Sequence, residues 1–150
     1  MKPQLRTCWP VLSGKAKDKV VELQTTIGQL SQRLEDFRRN QQRVQKLYGE
    51  YRQQEIASDA HHQGMQATLN QRQFMNQLLG LQEKLAQEIL NTESLLAQQR
   101  KQLVLAELEY QKMEALAEQD QKQVQKALDK IEQRQMDEIG VVQFNLGTGT

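Results

Sequence analysis

The chain has 150 residues, 37% apolar and 26% charged, with a formal net charge of +1 and a mean hydropathy of -0.78. That composition is too lean for a compact globule with a thick core, and the near-zero charge offers no bulk attraction to DNA or to an acidic membrane. Disorder is the competing reading of such polarity, but the apolar residues are periodic and the charge is balanced, which argues against it.

The N-terminal segment MKPQLRTCWPVLSG lacks the apolar core of a secretory signal, so export by the general secretory route is not expected. Its Cys8 is the chain's one cysteine and cannot make an internal disulfide, which fits a reducing cytoplasm; we read it as an inert thiol. Arg6, Lys15, Lys17 and Lys19 make the first twenty residues basic. The only prolines are Pro3 and Pro10, so nothing after Pro10 forbids helix, and Pro10 or Ser13 marks the start of the first helix. More than one residue in six is Gln, a polar, uncharged helix former.

Helix 1 is predicted over about residues 11–57. Its seam reads Ala16, Val20, Leu23, Ile27, Leu30, Leu34, Phe37, Gln41, Val44, Tyr48 and Tyr51, ten apolar or aromatic residues and one Gln at alternating steps of four and three. A heptad sustained this long puts one narrow stripe on a helix and demands a partner helix. The stretch Ser58-Asp59-Ala60-His61-His62-Gln63-Gly64 collects turn formers where the periodicity lapses, so the turn is placed at about 58–64.

Helix 2 is predicted over about 65–138, with Gly140 as a stop signal and a frayed tail at 139–150. Its seam reads Phe74, Leu78, Leu81, Leu85, then Ile89, Thr92, Leu96, Gln99, Leu103, Ala106, Tyr110 and Met113. The step from Leu85 to Ile89 follows another step of four, a stutter that locally unwinds a supercoil.

A turn near residue 61 makes antiparallel partners sum to about 122–123 by the pairing geometry of facing seams. Val20 then faces Leu103, Ile27 faces Leu96, Leu34 faces Ile89, Phe37 faces Leu85 and Tyr48 faces Phe74. This match favours a single-domain antiparallel hairpin, an all-α fold, over two chains pairing in parallel. Helix 1 runs out near Val11, opposite about Lys112, while helix 2 continues for roughly 25 residues, or about 40 Å. That overhang carries Leu116, Val124, Leu128 and Ile131, interrupted by Asp120. A partnerless stripe points to a binding segment for another protein; self-association and a frayed helix are the alternatives.

Catalytic chemistry is not indicated. The sequence has no Gly-rich phosphate loop, no paired cysteines and no His–Glu–His spacing on a helix face, so neither enzyme activity nor a metal or other cofactor is expected. Adjacent His61 and His62 read as a solvated turn, and Arg38, Arg39 and Arg43 as a solvated basic face. Tyr48, Tyr51 and Phe74 gather near the turn. They either fill the seam or form a docking patch where the helices splay.

Four segments carry a family resemblance: Trp9-Pro10-Val11-Leu12, Leu47-Tyr48-Gly49-Glu50-Tyr51-Arg52, Gln73-Phe74-Met75-Asn76-Gln77-Leu78 and Gln133-Arg134-Gln135-Met136-Asp137-Glu138. Together with the length, turn position and overhang, the chain resembles the FliJ family, coiled-coil components of the bacterial flagellar type III export apparatus. The resemblance implies an antiparallel coiled coil similar to the central stalk of rotary ATPases. It further implies binding to the hexameric export ATPase FliI, promotion of its ring assembly, and contacts with the export gate protein FlhA and with substrate-escort export chaperones.

The implied location is cytoplasmic, peripheral on the membrane at the flagellar base, with no nucleic acid among the partners. The family's gate-binding positions match Val44, Leu47, Tyr51, Phe74, Leu78, Leu81 and Leu85. Leu47 stands where an aromatic is usual and Leu85 where a His occurs; Tyr48 is an alternative to Leu47. The stalk likeness assigns Leu116, Val124, Leu128 and Ile131 to the ATPase. Alternatives are the equivalent stalk of a virulence type III secretion system, or a coiled-coil export chaperone or scaffold.

Overall fold

The computed structural model describes Gln4, residues 8–59 and residues 64–148. Among these, secondary structure consists of two helices and no strand: α1, Cys8–Asp59, and α2, Met65–Thr148. The all-α class follows from the sequence, and the boundaries differ at three points. Helix α1 begins at Cys8 rather than about 11, which puts Pro10 in its first turn. There the missing N–H costs nothing, because the first four amides of a helix have no intrahelical acceptor. It ends at Asp59 rather than about 57.

The third difference is at the far end of α2, where the expected frayed tail is helical to Thr148. Gly140, read as a stop, lies inside that helix with no left-handed backbone angle. A glycine caps a helix only when the chain turns left-handed at it; otherwise it costs about 1 kcal/mol and the helix continues.

Most of the expected turn at 58–64, including His61 and His62, lies outside the described residues. On its far side the Thr68 amide donates to the Gly64 carbonyl at 3.2 Å, and the Thr68 hydroxyl donates to the same oxygen at 3.3 Å. These bonds close the first turn of α2.

The chain divides into two compact units. One is Glu22–Leu103; the other takes the chain up to Val21 and from Val104 onward. In Glu22–Leu103 the two helical segments pack antiparallel. One cluster joins Leu30 and Leu34 to Ile89 and Leu96, with Ile27 and Phe37 packed against it. The expected partners Ile27 and Leu96, and Leu34 and Ile89, therefore share a cluster. A second cluster joins Val44 to Leu78 and Leu85, flanked by Phe37, Leu47, Tyr48, Tyr51 and Phe74.

Fully burying a Leu or Ile side chain contributes about 1.5–3 kcal/mol, so these few residues hold the unit. Thr92, an exception in the apolar seam, is buried at 6% exposure, and Met75 is buried beside Phe74 in sequence. Arg38 pairs across the helices with Glu93 at 2.8 Å, while Arg39 pairs with Asp36 on its own helix at 3.0 Å. The basic face is thus partly neutralised, by bridges exposed enough to contribute little stability.

The other unit is unequal. It holds α1 only from Cys8 to Val21 but α2 from Val104 to Thr148. Val20 is buried and Ala16 half-buried, whereas every described side chain of α2 beyond Ile131 is exposed. Of the other expected pairs, Phe37 with Leu85 and Tyr48 with Phe74 belong to the second cluster, while Val20 and Leu103 are divided between the two units.

Candidate functional site

Two surfaces are candidates, one in each unit. In Glu22–Leu103 the surface lies toward the turn. The seam steps Val44, Tyr48, Tyr51 on α1 and Phe74, Leu78, Leu85 on α2 bring these residues onto facing stripes. The rings of Tyr51 and Phe74 meet with centroids 4.7 Å apart and planes tilted by 48°. A tilted contact at this distance is the favourable arrangement for two aromatic quadrupoles. Gln71 donates from Nε2 to the Tyr51 carbonyl at 3.1 Å, and Arg72 Nε lies 3.5 Å from Glu55 Oε1. Both tie α2 to the last turns of α1.

The seven predicted gate-binding residues do not share one level of exposure. Val44, Leu78 and Leu85 are buried and belong to the core cluster. Leu47, Tyr51 and Phe74 flank that cluster and are half-buried. Leu81 is exposed, at 43%. The first three form a rigid floor and the next three a half-open rim; a partner touches the floor only if the helices part. Tyr48, the alternative to Leu47, is half-buried in the same cluster.

The second surface is on the long part of α2. Trp9, in the first turn of α1, lines a shallow depression with Leu116, Gln119, Asp120 and Gln123. Leu116, expected beyond the reach of helix 1, therefore stands beside it. The earlier start of α1 accounts for this, since three more residues carry an indole to that level. Past Gln123 the stripe continues with Val124 and Ile131 half-buried and Leu128 at 37% exposure.

The stripe expected from sequence ends there, in a helix that Gly140 stops. The structure adds Ile139, Val142 and Leu146, at 58%, 56% and 72% exposure, on a continuous helix. The signal was present: the steps of four and three run on from Val124 through these residues. Ile139 and Val142 line a second open depression with Gln135, Glu138 and Gln143.

Polar contacts on this part of α2 are local. Lys122 pairs with Glu118 at 3.3 Å, and Gln125 donates to Asp129 at 3.0 Å. The Tyr110 hydroxyl donates to Glu114 Oε1, a bond that holds the phenolic proton and raises the tyrosine above its ordinary pKa of 10.0. Among the described residues no cluster of His, Cys, Asp and Glu is arranged to hold a metal ion, and no helix is long and apolar enough to cross a membrane. Both surfaces are apolar, open and carried on helices, which equips them for binding other helices or protein faces.

No curated protein and no solved structure matches the chain. A protein-family model does, the one described as flagellar FliJ protein, and it covers residues 11–148. That span includes the hairpin-end surface, the α2 residues of the second surface, and the tyrosine, phenylalanine and C-terminal segments on which the resemblance rested; Trp9 lies just before it. The chain belongs to the FliJ family of flagellar proteins.

Proposed function

We propose that the chain is a non-enzymatic stalk that binds the export ATPase FliI through the uncovered end of α2, promotes assembly of its ring and couples it to the export gate. Family membership makes it a flagellar export-related protein in any case. The observation that carries the finer reading is the length of helix without a partner. Beyond Gln123, α2 runs helical to Thr148 with an apolar stripe that α1 does not cover. Exposed aliphatic stripes cost solubility, so a partner that buries this one gains roughly 25 cal/mol per Å² of apolar area before ordering costs.

The hairpin-end surface is the proposed site for the gate protein FlhA. Leu47, Tyr51, Phe74 and Leu81 supply its accessible part, over a floor of Val44, Leu78 and Leu85. Half-exposed aromatics on a rigid base are the usual makings of a binding hot spot. Contacts with export chaperones, and a place on the cytoplasmic face of the membrane, follow from the same reading.

The experiment is a pull-down of purified FliI by the full chain and by a chain ending at Gln123, which keeps the Trp9 depression intact. Capture by the full chain alone supports the assignment. Equal capture by both removes the far end of α2 from the ATPase contact.

A further inference from the structure

The two flanks of the covered seam in Glu22–Leu103 are built differently. On one flank α1 and α2 are tied by ion pairs, Arg38 with Glu93 at 2.8 Å and Arg72 with Glu55 at 3.5 Å. Arg38 and Glu93 each follow an inward-facing residue, Phe37 and Thr92.

The other flank is carried by the residues that come just before the inward-facing ones. On α2 these are Phe74, Leu81, Glu88 and Leu95, each seven residues from the next, preceding Met75, Gln82, Ile89 and Leu96. On α1 Arg33 precedes Leu34 and Leu47 precedes Tyr48. Leu34 and Ile89 share one cluster, so Arg33 and Glu88 stand on this flank at one level. Leu47 and Phe74 border the other cluster.

Steps of seven keep a ridge straight along a coiled coil, and this one spans about 32 Å. Leu81 and Leu95 on it are each 43% exposed. Glu88 lies half-buried between them, and Arg33 is exposed. Among the described residues neither makes a hydrogen bond or an ion pair.

We propose that a helix of the gate protein lies along this flank as a third helix of the coil, carrying the gate contact from Leu47 and Phe74 on to Leu95. This rests on the gate reading of the hairpin-end surface and deepens it. The docking helix is amphipathic, with apolar residues at heptad spacing against Phe74, Leu81 and Leu95. Between them it presents a basic residue to Glu88 and an acidic one to Arg33. A helix laid over a half-buried carboxylate must bring it a cation, because an unpaired charge under an interface is costly. The opposite flank makes no such offer, since its charges already pair with each other.

Titration of purified FlhA with the full chain tests this, with melting curves recorded for each variant. Leu95→Ala and Glu88→Lys should each weaken binding about tenfold. Leu90→Ala, on the outer face of α2 at 60% exposure, should leave it unchanged. Arg33→Glu combined with Glu88→Lys separates docking from mutual support. The swap restores a pair that serves only the hairpin. Charges that face a docked helix are both reversed by it, so binding should fall further. In the complex, amide exchange of FlhA should slow over one continuous stretch of about 15 residues or more.

Phe74→Ala keeps the two readings apart. If it weakens FlhA binding while Leu95→Ala and Glu88→Lys do not, the gate contact stands and its extension to Leu95 is overturned. Binding unchanged in all three variants removes the gate reading and the extension with it. Binding that responds to Leu95 and Glu88 but not to Phe74 keeps the docked helix and removes the hairpin end. Restoration by the charge swap, or FlhA protection scattered over short separate segments, overturns the docked helix.

Discussion

The middle of the molecule and the far end of α2 use the same residue types to opposite ends. In Glu22–Leu103 the aliphatic stripes of two helices close on each other, and Leu30, Leu34, Ile89 and Leu96 fall below a tenth exposed. Beyond Gln123 an equally regular stripe meets no second helix of its own unit, and Leu128, Ile139, Val142 and Leu146 remain open. A covered stripe stores its free energy in the fold. An open one keeps it for association, so the two regions should answer differently to one kind of substitution.

The largest effect is expected from a charge placed in the covered seam. Ile27→Asp sets a carboxylate against the Leu30–Leu96 cluster and should destabilise the protein by about 3–5 kcal/mol. Thermal melting followed by circular dichroism reads this directly. A melting temperature unchanged by the substitution would mean that the cluster does not hold the unit.

Phe74→Ala probes the boundary between the two behaviours, because Phe74 is packed on one side and open on the other. If its open side docks the gate, binding to FlhA should weaken by about 2 kcal/mol, roughly thirtyfold, with a smaller loss of stability. The opposite outcome, lost helicity with unchanged affinity per folded molecule, assigns it to the seam alone. Gly140→Ala should then act on the open helix by propensity only. A methyl group there meets nothing within 4 Å, and the gain should be about 1 kcal/mol of local helix stability, seen as slower amide exchange around it. The smallest change is expected from Arg38→Ala, which removes an exposed bridge to Glu93 and should cost under about 1 kcal/mol in denaturant unfolding.

The contrast also explains what could be read from the residues. A 4–3 repeat, broken only by the stutter at Leu85–Ile89, left little freedom for the covered seam, and its antiparallel partners Ile27 with Leu96 and Leu34 with Ile89 followed from arithmetic about the turn. Helix ends are set by weaker forces. One glycine or proline shifts a boundary by no more than about 1 kcal/mol when it falls where the backbone tolerates it.

That is why α1 starts a few residues before the expected point, with Pro10 in its first turn as its chemistry allows, and α2 runs a whole segment past Gly140. The missing segment then hid Ile139, Val142 and Leu146, which carry the stripe on past Ile131. In the hairpin-end patch, residue type and spacing found the aromatics, yet could not separate the buried floor of Val44, Leu78 and Leu85 from the open Leu81. That distinction depends on how far each side chain lies from the helix contact line, which a seam pattern specifies only coarsely.

The role proposed for the open stripe beyond Gln123 is to drive association without holding the fold. It is tested most directly by Leu128→Asp together with Ile131→Asp in the full chain, measuring circular dichroism and FliI ATP turnover on the same preparation. The helical signal and melting curve should be unchanged, with turnover falling to the rate of the ATPase alone. Stimulation that survives the double substitution intact would contradict it, and would move the coupling contact to the basic N-terminal segment or to the hairpin end.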